Sequence, residues 1–453
     1  MAEIKAFLSC AVAVLLFFSC SSSGVARISG CVENADSVVS LWVEDSVYTF
    51  SLDKNNFFSG EVVMKHGGFV TFLDNSLNLY LTPGEDLEIY VNALNFLGSL
   101  YFRGSLGGIN SYLKEQEGAV FFDRDYYALP EEEFVRKMRE LIDEKTKLLE
   151  AKNFDATFTK LEKERIRYSV AERVVLYPTY RKRIDPKKKY QPGATFTNFL
   201  SSFSLNNEDL FLTQDYRSFL LNYVYFQEDN KKSNGRKSSD AMIDYVLSTI
   251  TNPKIKDFLL TEIVYRYIRE NNGLSGAEHL LTIFRREVTD PNKLVYMEEV
   301  IGRWKKLLPN KMAPSFKVAD RKGNQVLLEQ FRGNYLYIMV WATWCVPCKA
   351  ELLHWDALQK EYLGYNIRFL TIAVDDAAKQ SAWNNFLVEN LHAGQHAFAH
   401  VGNKFNQNYM IISVPRFILI NPEGRIVDAN APRPSGRIRP LLDGLGMDLT
   451  VDF

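Results

Sequence analysis

Cysteine is scarce in this sequence, with five residues in a chain of 453. Cys10, Cys20 and Cys31 lie near the N-terminus, whereas Cys345 and Cys348 stand three apart towards the other end. So few thiols exclude a disulfide framework. With 46% apolar and 24% charged residues, the chain can build its cores without one. Excess charge is also lacking, because 54 basic side chains balance 55 acidic ones to a net −1. That balance gives no global attraction for nucleic acid or an anionic membrane. The one basic run, RKRIDPKKKY at 181–190, reads as a solvated loop or helix end. No segment reaches the ~18 consecutive apolar residues of a membrane span. The length itself predicts two to four domains.

What is present begins with a short apolar run over 6–18, preceded by Lys5 and followed by Ser and Gly. It is too short to cross a bilayer and reads as a secretory signal. Ser19-Cys20 closes the run and resembles the bacterial lipoprotein signal, which implies that Cys20 is lipidated and becomes the mature N-terminus. Phe17 and Phe18 replace the Leu and small residue usual there, so an ordinary signal with an incidental Cys20 stays open. The expected location is the cell envelope, facing the periplasm. The membrane is contacted through a lipid anchor at Cys20, or the protein is soluble if Cys20 is unmodified. The expected order is signal peptide 1–19, tether 20–24, small β domain 25–109, helical segment 110–311 and an α/β domain 312–453.

Residues 25–109 carry seven short runs rich in Val, Phe, Tyr and Leu, from ARISGCVE to DLEIYVN, separated by Asn, Gly and Pro turn signals. This pattern predicts a small antiparallel sandwich or barrel. Leu87, Ile89 and Val91 alternate onto one face, and Cys31 on the first strand is expected to be a buried small apolar residue. Residues 110–311 change to helical period. Phe134, Met138, Leu141, Ile142 and Leu149 share a face, and further helices are expected near 157–176, 207–227, 238–250, 254–270, 275–287 and 291–307. Breakers such as YPTY, TNPK and TDPNK separate them. The aromatic stretch YRSFLLNYVYFQ at 216–227 is expected to be core.

From 312 the pattern changes again. The buried-strand runs YLYIMVWA and IRFLTIAVDD flank a helical stretch with Leu352, Trp355, Leu358 and Tyr362 on one face, which makes a βαβ unit. RFILINPEGRIVDAN predicts a hairpin about Asn421-Pro-Glu-Gly424. Cys345-Val-Pro-Cys348 sits where the first strand meets the helix. Three chemistries compete for it. Zinc needs four ligands, yet no second cysteine pair exists; His392, His396 and His400 fall four apart, but Gly394 interrupts them. A structural disulfide would close too small a loop to stabilise much. A redox dithiol fits better, because unpaired amides and the helix dipole favour a thiolate on Cys345. Cys348, one turn on and more buried, then resolves the mixed disulfide. Trp344 flanks the pair, and Pro347 suits the first helical turn. No metal and no cofactor beyond the dithiol are expected.

The stretch from Ala313-Pro-x-Phe316 through Gly323, Phe331-Arg-Gly333 and Trp341-x-x-Trp344-Cys-x-Pro-Cys-Lys-x-Glu351 resembles the TlpA/ResA-like branch of the thioredoxin superfamily. YMIISVPRFILINPEGRIV resembles the closing part of that family. The resemblance covers about 312–445. It implies a thioredoxin fold, with Pro415 as the cis-proline beside the dithiol and the Val414 backbone free to pair with a substrate strand. It also implies that Glu351 relays protons to Cys348, while Met339 stands where thioredoxin itself keeps a buried Asp. Loss of the family's helix-kinking proline at Leu353 implies a straighter helix. LTPGEDLEIYV with FRGSLGGINSYLKE is similar to the β domain before thioredoxin-like domains in Bacteroidetes envelope lipoproteins. Together these imply exchange with protein thiols and disulfides, by a reductase fed from a membrane thiol carrier. Two alternatives stay open. A peroxiredoxin-like peroxidase needs Thr or Ser three residues before the first cysteine, where Ala342 stands. An envelope adapter would leave the dithiol a minor role.

Overall fold

The computed structural model describes residues 24–449, apart from 35–37, 44–45, 73–76, 120–123, 188–189, 231–237, 390–393 and 401. The expected signal over 1–19, Cys10, Cys20 and His392 lie outside the described residues. The chain forms two compact units, Leu15–Glu262 and one that contains Ile263–Phe453.

In the first unit all seven expected strands form: β1 (Gly24–Glu33), β2 (Val38–Val43), β3 (Ser46–Ser51), β4 (Phe57–Met64), β5 (Gly68–Phe72), β6 (Leu77–Leu81) and β7 (Asp86–Asn92). A four-residue helix, α1 (Phe96–Ser99), leads into β8 (Tyr101–Arg103). Two sheets result, ordered β4-β1-β7-β8 and β3-β2-β5-β6. One pairing departs from the antiparallel expectation, since β1 runs parallel to β7 with Ile28 opposite Leu87. Leu87, Ile89 and Val91 are buried as their alternation predicts. Cys31 is not: Ile28, Gly30 and Val32 take the inner face of β1, which turns Cys31 to the outer, half-exposed side.

The longer helices of this unit are α2 (Gly107–Ala119), α3 (Glu131–Glu150), α4 (Ala156–Ile184), α5 (Ala194–Ser201), α6 (Gln214–Asn230) and α7 (Ser238–Thr249); α8 (Pro253–Glu270) crosses the division. Helix α4 runs through the expected YPTY breaker, with Pro178 inside it. An internal proline costs ~3 kcal/mol. Here Tyr177 and Pro178 are buried, Phe134 stacks on Tyr177 at 4.4 Å, and the Tyr177 hydroxyl donates to the Leu129 carbonyl at 2.6 Å. Of the 216–227 aromatics, expected to be core, Tyr216 and Phe219 are fully buried, whereas Tyr223, Tyr225 and Phe226 are half-buried.

The second unit continues with α9 (Glu278–Glu287) and α10 (Pro291–Lys305), then β9 (Lys317–Asp320), β10 (Gln325–Leu327), β11 (Tyr335–Trp341), α11 (Val346–Glu361), β12 (Ile367–Asp375) and α12 (Gln380–Glu389). It closes with β13 (Gln395–His400), α13 (Lys404–Asn408), β14 (Arg416–Ile420), β15 (Ile426–Asp428) and α14 (Ile438–Asp443). Seven strands form one sheet in the order β10-β9-β13-β12-β11-β14-β15. β11, β12 and β13 are parallel neighbours, and β14 runs antiparallel to β11. This is the mixed thioredoxin-fold sheet that the resemblance implies. Its hairpin turns at Gly424, whose φ of 72° and closeness to the Arg332 guanidinium leave no room for a Cβ. Tyr337, Trp341, Trp355 and Trp383 fill the core together with the two cysteines.

Candidate active site

Strand β11 lies inside the sheet and is buried along nearly its whole length, and its C-terminal end leads the chain from the core into the dithiol turn. Ala342 to Cys345 then make a tight turn, closed by the Cys345 N–H donating to the Ala342 carbonyl at 3.0 Å. Cys345 is the N-cap of α11. Its sulfur accepts from the Cys348 N–H at 3.2 Å, one of the amide groups that a helix leaves without an internal partner. The two sulfurs are bonded, 2.06 Å apart. Cys345 is 4% exposed and Cys348 is fully buried. Trp344 (71% exposed) and Val346 (75%) flank them as an apolar rim.

Val414-Pro415 is a cis peptide. Pairing of Val340 with Arg416 puts Pro415 level with Trp341, where β11 ends and the dithiol turn begins. Val414 packs against the hydrophobic cluster that contains both cysteines. Met339 is buried in that same cluster. Glu351 is buried on α11, with its carboxylate accepting from the Ser435 hydroxyl at 2.6 Å and the Ser435 N–H at 3.2 Å, and with Arg433 at 4.0 Å. Nearby, burial drives the Tyr337 hydroxyl far above its usual range, with Glu351 adding to the effect.

Three further features of the site have only faint sequence signals. Asp375 ends β12 and is buried; its carboxylate accepts from the Thr343 N–H at 2.9 Å and the Thr343 hydroxyl at 3.1 Å. The acidic pair closing an apolar strand was its only mark. Lys349 lies over the Phe386 ring at 4.9 Å. With Thr343, Trp344 and Lys379, these residues line a groove beside the dithiol. Arg416 follows Pro415 directly and is buried. It donates to the Ala429 and Met410 carbonyls at 2.9 Å each and stacks on Trp304 at 5.0 Å, and burial lowers its pKa to about 10.

The histidine pattern comes apart in the fold. His396 is buried on β13 with a ring nitrogen 2.7 Å from the Thr371 hydroxyl, whereas His400 is exposed at the strand's end. Among the described residues, no group of three or more His, Cys, Asp and Glu side chains is placed to hold a metal ion. Nor is any helix there long and apolar enough to cross a membrane.

Residues 309–429 match the AhpC/TSA family. The thiol-disulfide oxidoreductase ResA of Bacillus thuringiensis subsp. konkukian is 26% identical over 117 residues, which are 26% of this chain and 66% of that protein. ResA of Bacillus anthracis is 27% identical over 124 residues, 27% of this chain and 69% of that one. The chain thus spans just under two thirds of the length of the first of these relatives. A crystal structure of a candidate thiol-disulfide oxidoreductase from Bacteroides vulgatus is 36% identical and covers 31% of this chain and 98% of its own, with a TM-score of 0.29.

Proposed function

We propose that this chain, whose C-terminal domain has the thioredoxin fold, is a thiol–disulfide oxidoreductase that acts on proteins through Cys345 and Cys348. The observation that carries the reading is the bonded pair at the amino end of α11, rimmed by exposed Trp344, on the turn that follows Trp341, the residue level with Pro415. The ResA relatives bear the same chemistry in their names. In the reductive direction, the Cys345 thiolate attacks a substrate disulfide, forms a mixed disulfide and releases one substrate thiolate. The Cys348 thiolate then attacks the Cys345 sulfur, closes the internal disulfide and releases the second substrate thiol. Two electrons pass to the substrate. Glu351 carries the proton that Cys348 must lose, and the Val414 backbone pairs with the incoming strand. The proposed setting is the periplasmic side of a membrane, reached through a lipid on Cys20, with a membrane thiol carrier returning the electrons.

The test is turnover of a protein disulfide such as insulin's by the reduced protein. Cys345→Ser is expected to fall to background, and Cys348→Ala to accumulate mixed disulfides on Cys345 that a small thiol dissolves. Full turnover by Cys345→Ser would sink the mechanism. Consumption of hydrogen peroxide in preference to disulfides would favour the peroxidase reading despite Ala342.

A further inference from the structure

Thr343 is at the corner of the turn that delivers Cys345, and Asp375 holds that corner by both its N–H and its hydroxyl. The contact joins β12 to the dithiol turn across 32 residues of sequence. Asp375 is 2% exposed. Both contacts fall on its carboxylate oxygens, one on each. A carboxylate in this place does two things at once. It fixes the backbone that aims Cys345, and it sets a buried carboxylate against Thr343, two residues before the nucleophile in the chain.

Other charged groups around this corner are Lys349 and Glu351 on α11, Asp376 directly after β12, Lys379 and Glu389 in the groove that Thr343 lines, and Arg416 on β14. His400 is the register partner of Asp375 on β13. Lys349 is exposed, whereas Glu351 is taken up by Ser435, and Arg416 by carbonyls and Trp304. The helix terminus and the Cys348 N–H favour the Cys345 thiolate; Asp375 opposes them.

We propose that Asp375 is a positioning residue whose charge makes the dithiol more strongly reducing. The inference rests on the redox reading of Cys345 and Cys348. The couple is protein disulfide plus two glutathione thiols going to protein dithiol plus glutathione disulfide. A charge that disfavours the thiolate destabilises the reduced protein and so shifts this balance towards the protein disulfide.

The experiment measures that equilibrium, and the pH profile of Cys345 alkylation, in the full protein and three variants. Asp375→Asn keeps the shape and removes the charge. Its equilibrium is expected to move towards the dithiol by about tenfold above the thiol pKa, ~30 mV for two electrons. The shift should fade at low pH, where both proteins hold the thiol proton. Its alkylation midpoint should fall. Thr343→Val keeps the charge and loses the hydroxyl bond, so its profile should stay at the wild-type midpoint even if turnover drops, with Thr343→Ser restoring turnover. A pH-independent shift, no shift, or equal effects of Asp375→Asn and Thr343→Val would make Asp375 purely structural. Should Asp375→Asn not fold, the wild-type midpoint decides. It is expected above about 7.5, the top of the range for activated cysteines, and a lower value overturns the proposal. Failure of the wild-type dithiol to equilibrate with glutathione at all would strike the redox reading itself.

Discussion

Glu351 is held at both carboxylate oxygens by Ser435, and this sets what its substitution should do. Glu351→Gln can keep its oxygen as acceptor for the Ser435 N–H while its amide N–H donates to the Ser435 hydroxyl, so stability should change by less than about 1 kcal/mol. If the carboxylate moves the Cys348 proton, turnover should fall about a hundredfold, the low end of what a placed acid–base group supplies. The mixed disulfide should then persist in stopped-flow quenching. Ser435→Ala gives the contrast, with about 1–2 kcal/mol of lost stability and an unchanged limiting turnover. Unaltered resolution in Glu351→Gln would return the residue to a structural role. The two cysteines were legible from sequence because both signals are local: a buried strand ends and a helix begins within four residues. Ser435 and Asp375 were not, because each reaches its partner only through the closed fold, 84 and 32 residues away. Cys31 was misjudged by one step of strand alternation, and its outward side chain still has its thiol pKa raised, by burial first and then by Glu33 and Asp53.

At the scale of elements, helices were legible where the apolar stripe and the caps lie in the same stretch. Asp155, for instance, caps α4 by accepting from the Phe158 N–H at 2.9 Å. Helix α5 escaped notice because its cap is remote: Glu131 of α3 accepts from the Gly193 and Phe196 N–H groups at 2.7 and 3.1 Å. Nothing local in ATFTNFLS marks a helix start, and its two threonines are poor helix formers. The α4–α6 pair is joined by buried ions, with Arg165 bonding Glu162 at 2.7 and 2.8 Å and Asp215 at 2.7 Å. Glu172, a few turns along α4, has its pKa raised to about 7 by burial and by Asp215, against Arg173 and the Asn222 amide. The folded chain therefore keeps a proton that the unfolded chain releases near 4.5. This contribution is complete below pH ~4.5 and is lost as pH rises through ~7, amounting to about 1–3 kcal/mol. Denaturant midpoints taken across that range should fall less steeply in Glu172→Gln than in the wild type, because the amide has no proton to lose, and its oxygen still accepts from Asn222. Parallel curves would show that Glu172 titrates normally.

For the whole molecule, the shift from strand period to helical period and back to a buried βαβ pattern made the order of segments legible. The division at 311/312 was drawn where that periodicity changes, whereas compactness divides the chain at 262/263. The reason lies in contacts that periodicity does not encode. Trp304, near the end of α10, is 3% exposed and stacks on the buried Arg416 guanidinium at 5.0 Å. The chain leaving α10 is stitched to the closing hairpin, the Asn310 N–H donating to the Ile426 carbonyl and the Ile426 N–H to the Lys311 carbonyl, both at 2.8 Å. Trp304 of α10 thus covers a cation next to Pro415 in the chain whose hydrogen-bond partners are two carbonyls. Removing the indole should cost more than its apolar area, since it also uncovers a half-satisfied charge. Trp304→Ala is expected to destabilise the unit that contains Ile263–Phe453 by about 3–5 kcal/mol. In denaturant, the Cys345 and Cys348 thiols of the reduced protein should become reactive at a lower midpoint. Trp304→Phe retains an aromatic face for Arg416 and should recover at least half of the loss. If Trp304→Ala leaves the exposure midpoint of the dithiol where it was, α10 is not part of the redox unit's folding, and the division belongs at 311/312 after all.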